Sequence, residues 1–413
     1  MPTRPFATAI VKTLSDAGHT TYFAGGWVRD LLMQRKSDDI DIATSASVEE
    51  VQKLFSKTIP VGVAFGIVIV VMDGHQFEVA TFRKDRGYVD GRRPTGIDPA
   101  TPEEDAQRRD FTINGMFYDP LQNTLYDFVN GQKDIERKII RAIGNPHDRF
   151  LEDRLRMMRA IRYATRLDFS IEEETVQAII AHADTLLPSV AIERIWQEFK
   201  KMSRFVHFDR GLILLHQLNL LPTIFPSLKG VPLTEIERRL EPLAIYPPNA
   251  PAIAELLELF PGSSLQHLLN LCDYLKLSGQ EKAFAAFFHH AKELLNMPEK
   301  WQNDLEKVEW AYFYANPDAK LCIEIFAAHI IPEKRDLFLK KHILHQTQLH
   351  KAIHCIQTHN PVVRAEHLIK EGVLPGKKLG SLLKEAERIS INQGIEDSSA
   401  IIYLLKKTKT WHN

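Results

Sequence analysis

The sequence predicts an α+β protein: an N-terminal head built on a small mixed sheet, then a long all-helical remainder. Three observations lead there. Residues 22–44, YFAGGWVRDLLMQRKSDDIDIAT, read as a short strand, a Gly-Gly turn, one or two helical turns and a second strand. GIVIVV at 66–71 and QFEVATF at 76–82 flank Asp73-Gly74, a hairpin signal because both turn residues tolerate positive φ. Beyond about residue 145 no strand pattern recurs, and the apolar spacing is that of helices.

Composition sets the outer bounds. The 413 residues are 44% hydrophobic and 25% charged, values of a soluble globular chain with room for several domains. No apolar run approaches the roughly 18 residues of a membrane span, so no membrane partner is expected. The start, MPTRPFATAIVKTL, lacks the apolar core of a secretory signal. The three cysteines, Cys272, Cys322 and Cys355, are far apart, which excludes a disulfide framework and a C-x-x-C zinc site and suits a cytoplasmic setting. With a net charge of −1, the chain can engage nucleic acid only through local basic faces.

In chain order, residues 1–20 form an amphipathic helix with Ile10, Val11 and Leu14 on its core side. Gly25 and Gly26 precede a helix, where bare backbone N–H groups approach a phosphate closely, and Arg29 adds a planar donor fork. Asp39 and Asp41 stand two apart in the next strand, so both carboxylates project to one side. Paired hard oxygen ligands suit Mg²⁺, and two such ions suit nucleotidyl transfer. Ser47 and Glu50 make a capping box for the following helix. Glu78, between Phe77 and Val79, is either a third acid near the metals or part of a solvated outer face.

RKDRGYVDGRRP at 83–94 reads as a charged loop, and EEDAQRRDFTING at 103–115 as a helix with acids first. A salt bridge between the neighbours Arg109 and Asp110 is the simplest account of that pair. Residues 117–131 return to strand-turn-strand character, and residues 139–143 close the head.

LEDRLRMMRAIRYATRL at 151–167 reads as one helix with Asp153, Arg156, Ala160 and Tyr163 on a common face. Its five arginines against two acids also describe a plain, salt-bridged basic helix. An Arg donor beside an Asp acceptor presents a Watson–Crick-like edge. Cytosine and adenine match that edge, whereas uracil and guanine offer the opposite pattern.

Taken together and in order, GGWVRD, DDIDIAT, RRP at 92–94, RRDFTIN at 108–114, EDRLR at 152–156 and IERIWQEFKK at 192–201 cover roughly the first half of the chain. This set resembles the class II tRNA nucleotidyltransferases, the bacterial CCA-adding and poly(A) polymerase family, whose head is of the polymerase β-like type. The resemblance implies transfer of C and A from CTP and ATP to the 3′ end of tRNA, without a nucleic-acid template. It implies two Mg²⁺ ions on Asp39 and Asp41, and the triphosphate on Gly25, Gly26 and Arg29. It further implies that Asp153 and Arg156 read the incoming base, that Arg109, Asp110 and Asn114 lie close to the nucleotide, and that Arg159 is near. Residues 83–93 would be the loop linked to switching from C to A.

The expected domains are a head at 1–145, a neck that recognises the base at 146–205, a body at 206–340 and a tRNA-binding tail at 341–413. Prolines punctuate the body, and the segments at 265–277 and 284–295 are apolar at helical spacing. His342, His345, His350, His354 and Cys355 lack the acid that would complete a zinc pattern. Residues 375–413 carry seven Lys and Arg against four Asp and Glu, a net of +3, and resemble the family's RNA-gripping tail. A poly(A) polymerase or an A-only enzyme shares these motifs, and a non-catalytic tRNA-binding protein on the same fold is the reading from another class. The sequence leaves the oligomeric state open.

Overall fold

The computed structural model describes residues 3–88 and 94–412. The chain divides into two compact units, residues 1–238 and 239–413. Unit one contains all of the strands among the described residues.

The opening helix α1 (Arg4–Asp16) buries Ala7, Ile10, Val11 and Leu14, the face its periodicity foretells. Strand β1 (Thr21–Ala24) leads into α2 (Gly26–Leu32), then β2 (Asp41–Thr44) and α3 (Val48–Leu54). The Ser47–Glu50 capping box forms, each side chain accepting from the other's backbone N–H. Strands β3 (Thr58–Ile59), β4 (Ile67–Met72) and β5 (His75–Thr81) follow. Asp73 and Gly74, at φ +50° and +78°, close the hairpin between the last two.

Two charged strands, β6 (Arg83–Tyr88) and β7 (Pro94–Pro99), pair antiparallel as a separate hairpin. The reading of residues 83–94 as a loop is therefore corrected for Arg83–Tyr88: ladder hydrogen bonds to the residues after Pro94 order a stretch whose composition alone suggests mobility. Residues 89–93, with Arg92 and Arg93, lie outside the described residues.

The head continues through α4 (Pro102–Gln107), β8 (Phe117–Asp119), β9 (Thr124–Tyr126), α5 (Gly131–Arg137) and β10 (Ile139–Ile140). Seven strands form one sheet in the order β3-β4-β5-β2-β1-β8-β9, with β2 and β5 parallel and the other neighbours antiparallel. One face carries the core of α1, Phe23, Ile42, Val68, Phe77 and Val79. On the other, Ala24, Ala43, Phe82 and Phe117 gather. Ala24, Ala43 and Ala80 of that second face line a cleft.

The neck differs from expectation in two ways. Residues 151–167 are not one helix: α6 (Pro146–Glu152) stops at Asp153, whose backbone is extended (φ −144°, ψ 103°), and α7 (Leu155–Leu167) begins after it. Strand β11 (Ser170–Ile171) pairs with β10, two residues being too short for a period-2 signal to show. Helices α8 (Glu173–His182), α9 (Leu186–Ser189), α10 (Ile192–Met202) and α11 (Phe208–Gln217) complete the neck. Gly211 of α11 lies against Thr165 of α7, where a Cβ would come within 3.2 Å of the threonine hydroxyl. This packing joins residues beyond 205 to the first unit.

Unit two is helical. The apolar segments bury Leu268, Leu271, Phe284, Phe288 and Leu294 as expected of core. A further core forms around Val363, Leu368, Leu382, Ala386 and Ile401. The helix Pro332–Gln348 runs through residue 340, so no break separates body from tail there. Within it His342 and His345 both meet the Tyr314 hydroxyl through Nδ1, at 2.8 and 3.2 Å. No helix among the described residues is long and apolar enough to cross a membrane.

Candidate functional site

A cleft of about 400 Å³ opens over the accessible face of the sheet, walled by head and neck residues of the first unit. Asp41 is the first residue of β2, and Asp39 precedes the strand instead of lying within it. Ile40 and Ile42 are buried while Asp39 and Asp41 are exposed, so the carboxylates share the side opposite the helix-covered core. In the parallel register Ile42 faces Val79, and one residue earlier in each strand stand Asp41 and Glu78. Glu78 is exposed and lines the cleft with Asp41. The Asp41 carboxyl is pushed up to about 6, chiefly by loss of water around it, then by the charges of Glu78 and Asp39; Arg109 opposes the shift.

Gly25 immediately precedes α2 at φ +69°, a backbone conformation that a side chain disfavours. A Cβ there would stand 3.5 Å from Asp41 Oδ2 and 3.6 Å from Arg109 Nη1. The glycine turn thus passes directly beside the acid pair, and Gly25 and Gly26 both line the cleft.

Arg29 does not reach that cleft. It is 2% exposed. Its Nε and Nη2 donate to Asp30 Oδ1 at 2.9 and 2.8 Å, and its Nη1 donates to Asn114 Oδ1 at 2.7 Å. Its fork is engaged by buried Asp30 and Asn114, beside the glycine turn, where Nη2 stands 3.5 Å from the position a Cβ on Gly26 would take.

Arg109 and Asp110 make no pair with each other, contrary to the simple salt-bridge reading. Arg109 donates to Asp105 Oδ2 from Nη2 at 2.9 Å and from Nε at 3.1 Å, with its guanidinium 4.8 Å above the Phe117 ring. Asp105, 1% exposed, also accepts from Arg108. Asp110 accepts from Arg159 Nε at 2.8 Å, and from its Nη2. Burial raises the Asp110 carboxyl, but the charges of Arg159 and Arg156 outweigh it and hold the group at about 2. Asn114 donates to Asp110 Oδ1 at 3.4 Å.

Asp153, at the end of α6, accepts from the Leu155 N–H at 3.1 Å and from Arg194 Nη2 at 3.1 Å. Arg156 donates to Glu152 Oε2 at 2.7 Å and to the carbonyls of Arg108 and Arg149 at 3.0 and 3.2 Å. Asp153 and Arg156 therefore line one cleft as acceptor and donor, each held by a different partner. The break at Asp153 turns its carboxylate off the helical face on which periodicity put it.

Of the expected residues, Gly25, Gly26, Asp41, Glu78, Arg109, Asp110, Asn114, Asp153, Arg156 and Arg159 line the cleft. Asp39 neighbours Asp41 through its charge, and Arg29 lies behind. Sequence reasoning passed over Asp105, Arg108, Tyr163 and Arg194 as site residues. Arg194 carried a signal in IERIWQEFKK, whereas Asp105 reads simply as an acid in a helix's first turn.

Comparison with known proteins gives concordant results. Residues 21–141 match the poly(A) polymerase head domain family, and residues 168–230 match the probable RNA and SrmB-binding site of polymerase A. A CCA-adding enzyme of Pediococcus pentosaceus is 34% identical over 397 residues, 95% of each chain. The crystal structure of the Bacillus stearothermophilus CCA-adding enzyme in complex with CTP superposes with a TM-score of 0.77 at 29% identity, covering 100% of this chain and 99% of that one. The Thermotoga maritima CCA-adding enzyme complexed with tRNA shares the fold, with a TM-score of 0.66 at 22% identity over 97% of this chain and 94% of that one.

Proposed function

The chain belongs to the CCA-adding enzyme family, and we infer that it adds C and A from CTP and ATP to the 3′ end of tRNA, releasing pyrophosphate. The observation that carries this reading is a single cleft lined by Asp41 and the glycine turn together with Asp153 and Arg156. A nucleotide spanning it meets phosphate donors at one end and a base-reading edge at the other.

The donor set fits Mg²⁺. Asp39 and Asp41 with Glu78 close by concentrate negative charge, and the Asp41 carboxyl is raised first by lost hydration and then by the charges of Glu78 and Asp39. Among the described residues no three His, Cys, Asp or Glu side chains are arranged to hold an ion by themselves. An open carboxylate pair that leaves positions to water and substrate phosphate is how Mg²⁺ is usually held. The chemistry that two Mg²⁺ ions supply when bound is activation of the RNA 3′-hydroxyl and neutralisation of the leaving pyrophosphate. Asp39 and Asp41 would hold them, and Glu78, which lines the same cleft, would accept the hydroxyl proton.

The backbone N–H groups of the Gly25–Gly26 turn and the guanidinium of Arg109 would orient the triphosphate, which Gly25 allows by leaving space where a Cβ would stand. Asp153 accepts and Arg156 donates toward the base, so the protein serves as the template. The free cysteines fit a cytoplasmic enzyme.

Incubation with tRNA lacking its last three nucleotides tests the reading. Growth by CC with CTP alone and by CCA with CTP and ATP is expected. Long A tails on other RNA, with no growth on that tRNA, would move the assignment to poly(A) polymerase.

The charge crowding has a measurable consequence for stability. The folded protein holds the Asp41 carboxyl at about 6, above its ordinary 3.8. The associated stability is full below about pH 4 and is lost as pH rises through about 6. At pH 7.5 without metal, Asp41→Asn is expected to stabilise the fold by about 1 kcal/mol after discounting for solvent screening. That is a Tm increase of about 2–4 °C. Adding Mg²⁺ should raise the Tm of the unaltered protein more than that of Asp41→Asn. An unchanged or lower Tm in metal-free Asp41→Asn would remove the case for a raised Asp41 carboxyl.

A further inference from the structure

Asp39 is the member of the acid pair that the sheet does not hold. The β1–β2 ladder ends with Ala24 opposite Asp41, and Asp39 lies two residues before that end. Residues 33–40 join α2 to β2 as a turn followed by an irregular stretch. Among the described residues, backbone-to-backbone bonds of this connection reach only to Arg35, whose N–H donates to the Asp30 carbonyl at 2.8 Å. Beyond it, side chains supply the donors. The Trp27 indole N–H donates to the Ser37 carbonyl at 3.1 Å, and the Thr3 hydroxyl donates to the Asp38 carbonyl at 2.9 Å. Those carbonyls stand two residues and one residue before Asp39, and Ile40 after it is buried. The Asp39 backbone is thus pinned on both sides while the residue itself stays exposed.

The donor on Trp27 is itself held. Its ring is 6% exposed, meets Phe23 edge-on with centroids 5.0 Å apart, and lies 5.8 Å from the Tyr118 ring. The Arg4 guanidinium sits 5.5 Å from its centre. An indole packed in this way keeps its N–H in one direction, and a buried N–H needs an acceptor. Trp27 also follows Gly26 directly, so one short helix both presents the glycine turn and holds the segment that leads to Asp39. We propose that Trp27, assisted by Thr3, is a positioning residue for Asp39, keeping it beside Asp41 ready for a divalent cation. The inference rests on the metal assignment made above. An Asp39 left loose must be ordered when the ion arrives, and that entropy cost appears as weaker metal binding.

A plain core residue at position 27 contributes stability alone. The two roles part when the indole is replaced, by genetic-code expansion, with its benzothiophene isostere, which keeps the ring shape and lacks the N–H. Mn²⁺ binding to the full chain without nucleotide is followed by EPR of the free ion. The isostere is expected to fold as the unaltered protein does and to bind Mn²⁺ about tenfold more weakly. Half-saturating Mg²⁺ for nucleotide addition should rise by the same factor, with KM for CTP at saturating Mg²⁺ unchanged within about twofold. Thr3→Val removes the other donor, a hydroxyl that makes no cap bond to α1, and should weaken Mn²⁺ binding about threefold. Unchanged Mn²⁺ affinity in the isostere overturns the proposal and leaves Trp27 a core residue only. If the isostere fails to fold, Thr3→Val decides, and unchanged affinity there overturns it. Asp39→Ala, titrated in parallel, separates this from failure of the metal assignment. Mn²⁺ binding equal to that of the unaltered protein in Asp39→Ala means that the assignment fails and the proposal with it; weaker binding there leaves the assignment standing whatever the isostere shows.

Discussion

Asp41→Ala is expected to abolish nucleotide addition, lowering kcat at least about 10³-fold while tRNA binding and the fold persist. Asp39→Ala should do the same. Neither side chain supports the core: both are exposed, and the buried residues on either side of Asp41, Ile40 and Ile42, hold the strand in place without it. The Asp41 carboxylate instead costs stability, through lost hydration first and the charges of Glu78 and Asp39 second, a cost that a divalent cation would offset. A fall of 10³-fold corresponds to about 4 kcal/mol of transition-state stabilisation, a reasonable share for ligands of two ions. Gel-resolved single-nucleotide addition under saturating CTP measures it, with tRNA binding followed separately. Turnover equal to the unaltered protein in either variant would sink the assignment of this pair to metal binding.

Arg156→Ala is expected to relax base choice more than it weakens triphosphate binding. Loss of one bidentate base contact costs about 1–3 kcal/mol of discrimination, which is about 5- to 150-fold in the ratio of correct to incorrect nucleotides. The competing effect is structural. Arg156 donates to the Arg108 carbonyl of the head and to Glu152, so its removal also loosens a link between neck and head. Asp153→Asn separates the two contributions. It converts the acceptor into an amide, while the Asp153 carboxylate makes no bond to Arg108 or Glu152. Parallel changes in base choice from both variants support a shared edge, and unchanged selectivity in both would count against the protein acting as its own template.

Much of the head could be read directly from the chain. Alternation at Ile40 and Ile42, positive φ at Asp73-Gly74 and the Ser47–Glu50 box all depend on neighbours a few residues away, and each formed as its local chemistry dictates. The glycine turn beside Asp41 was legible for the same reason, since only a residue without Cβ accommodates that φ so close to a carboxylate. The two-residue pairing of β10 with β11 was not, because so short a strand leaves no periodic trace. The stop at Asp153 was equally hidden: helix periodicity continues across it, and the break is stabilised by Arg194, which lies 41 residues downstream.

Charge partners separate the two kinds of information most clearly. Arg29, Arg109, Asp110, Asp153 and Arg156 were all identifiable as site candidates from residue type and spacing. Their pairings were not, because an ion pair is chosen by distance in space and by which groups must leave water together. Arg109 turns to Asp105 instead of its neighbour Asp110, and Asp110 turns to Arg159, 49 residues away. Arg29 is recognisable in the chain as a phosphate-matching fork, but its partners Asp30 and Asn114 are set by the fold. Sequence specified the chemical groups and the local turns that present them; three-dimensional packing selected which of those groups face the nucleotide and which hold the others in place, since desolvation is felt only once distant segments meet.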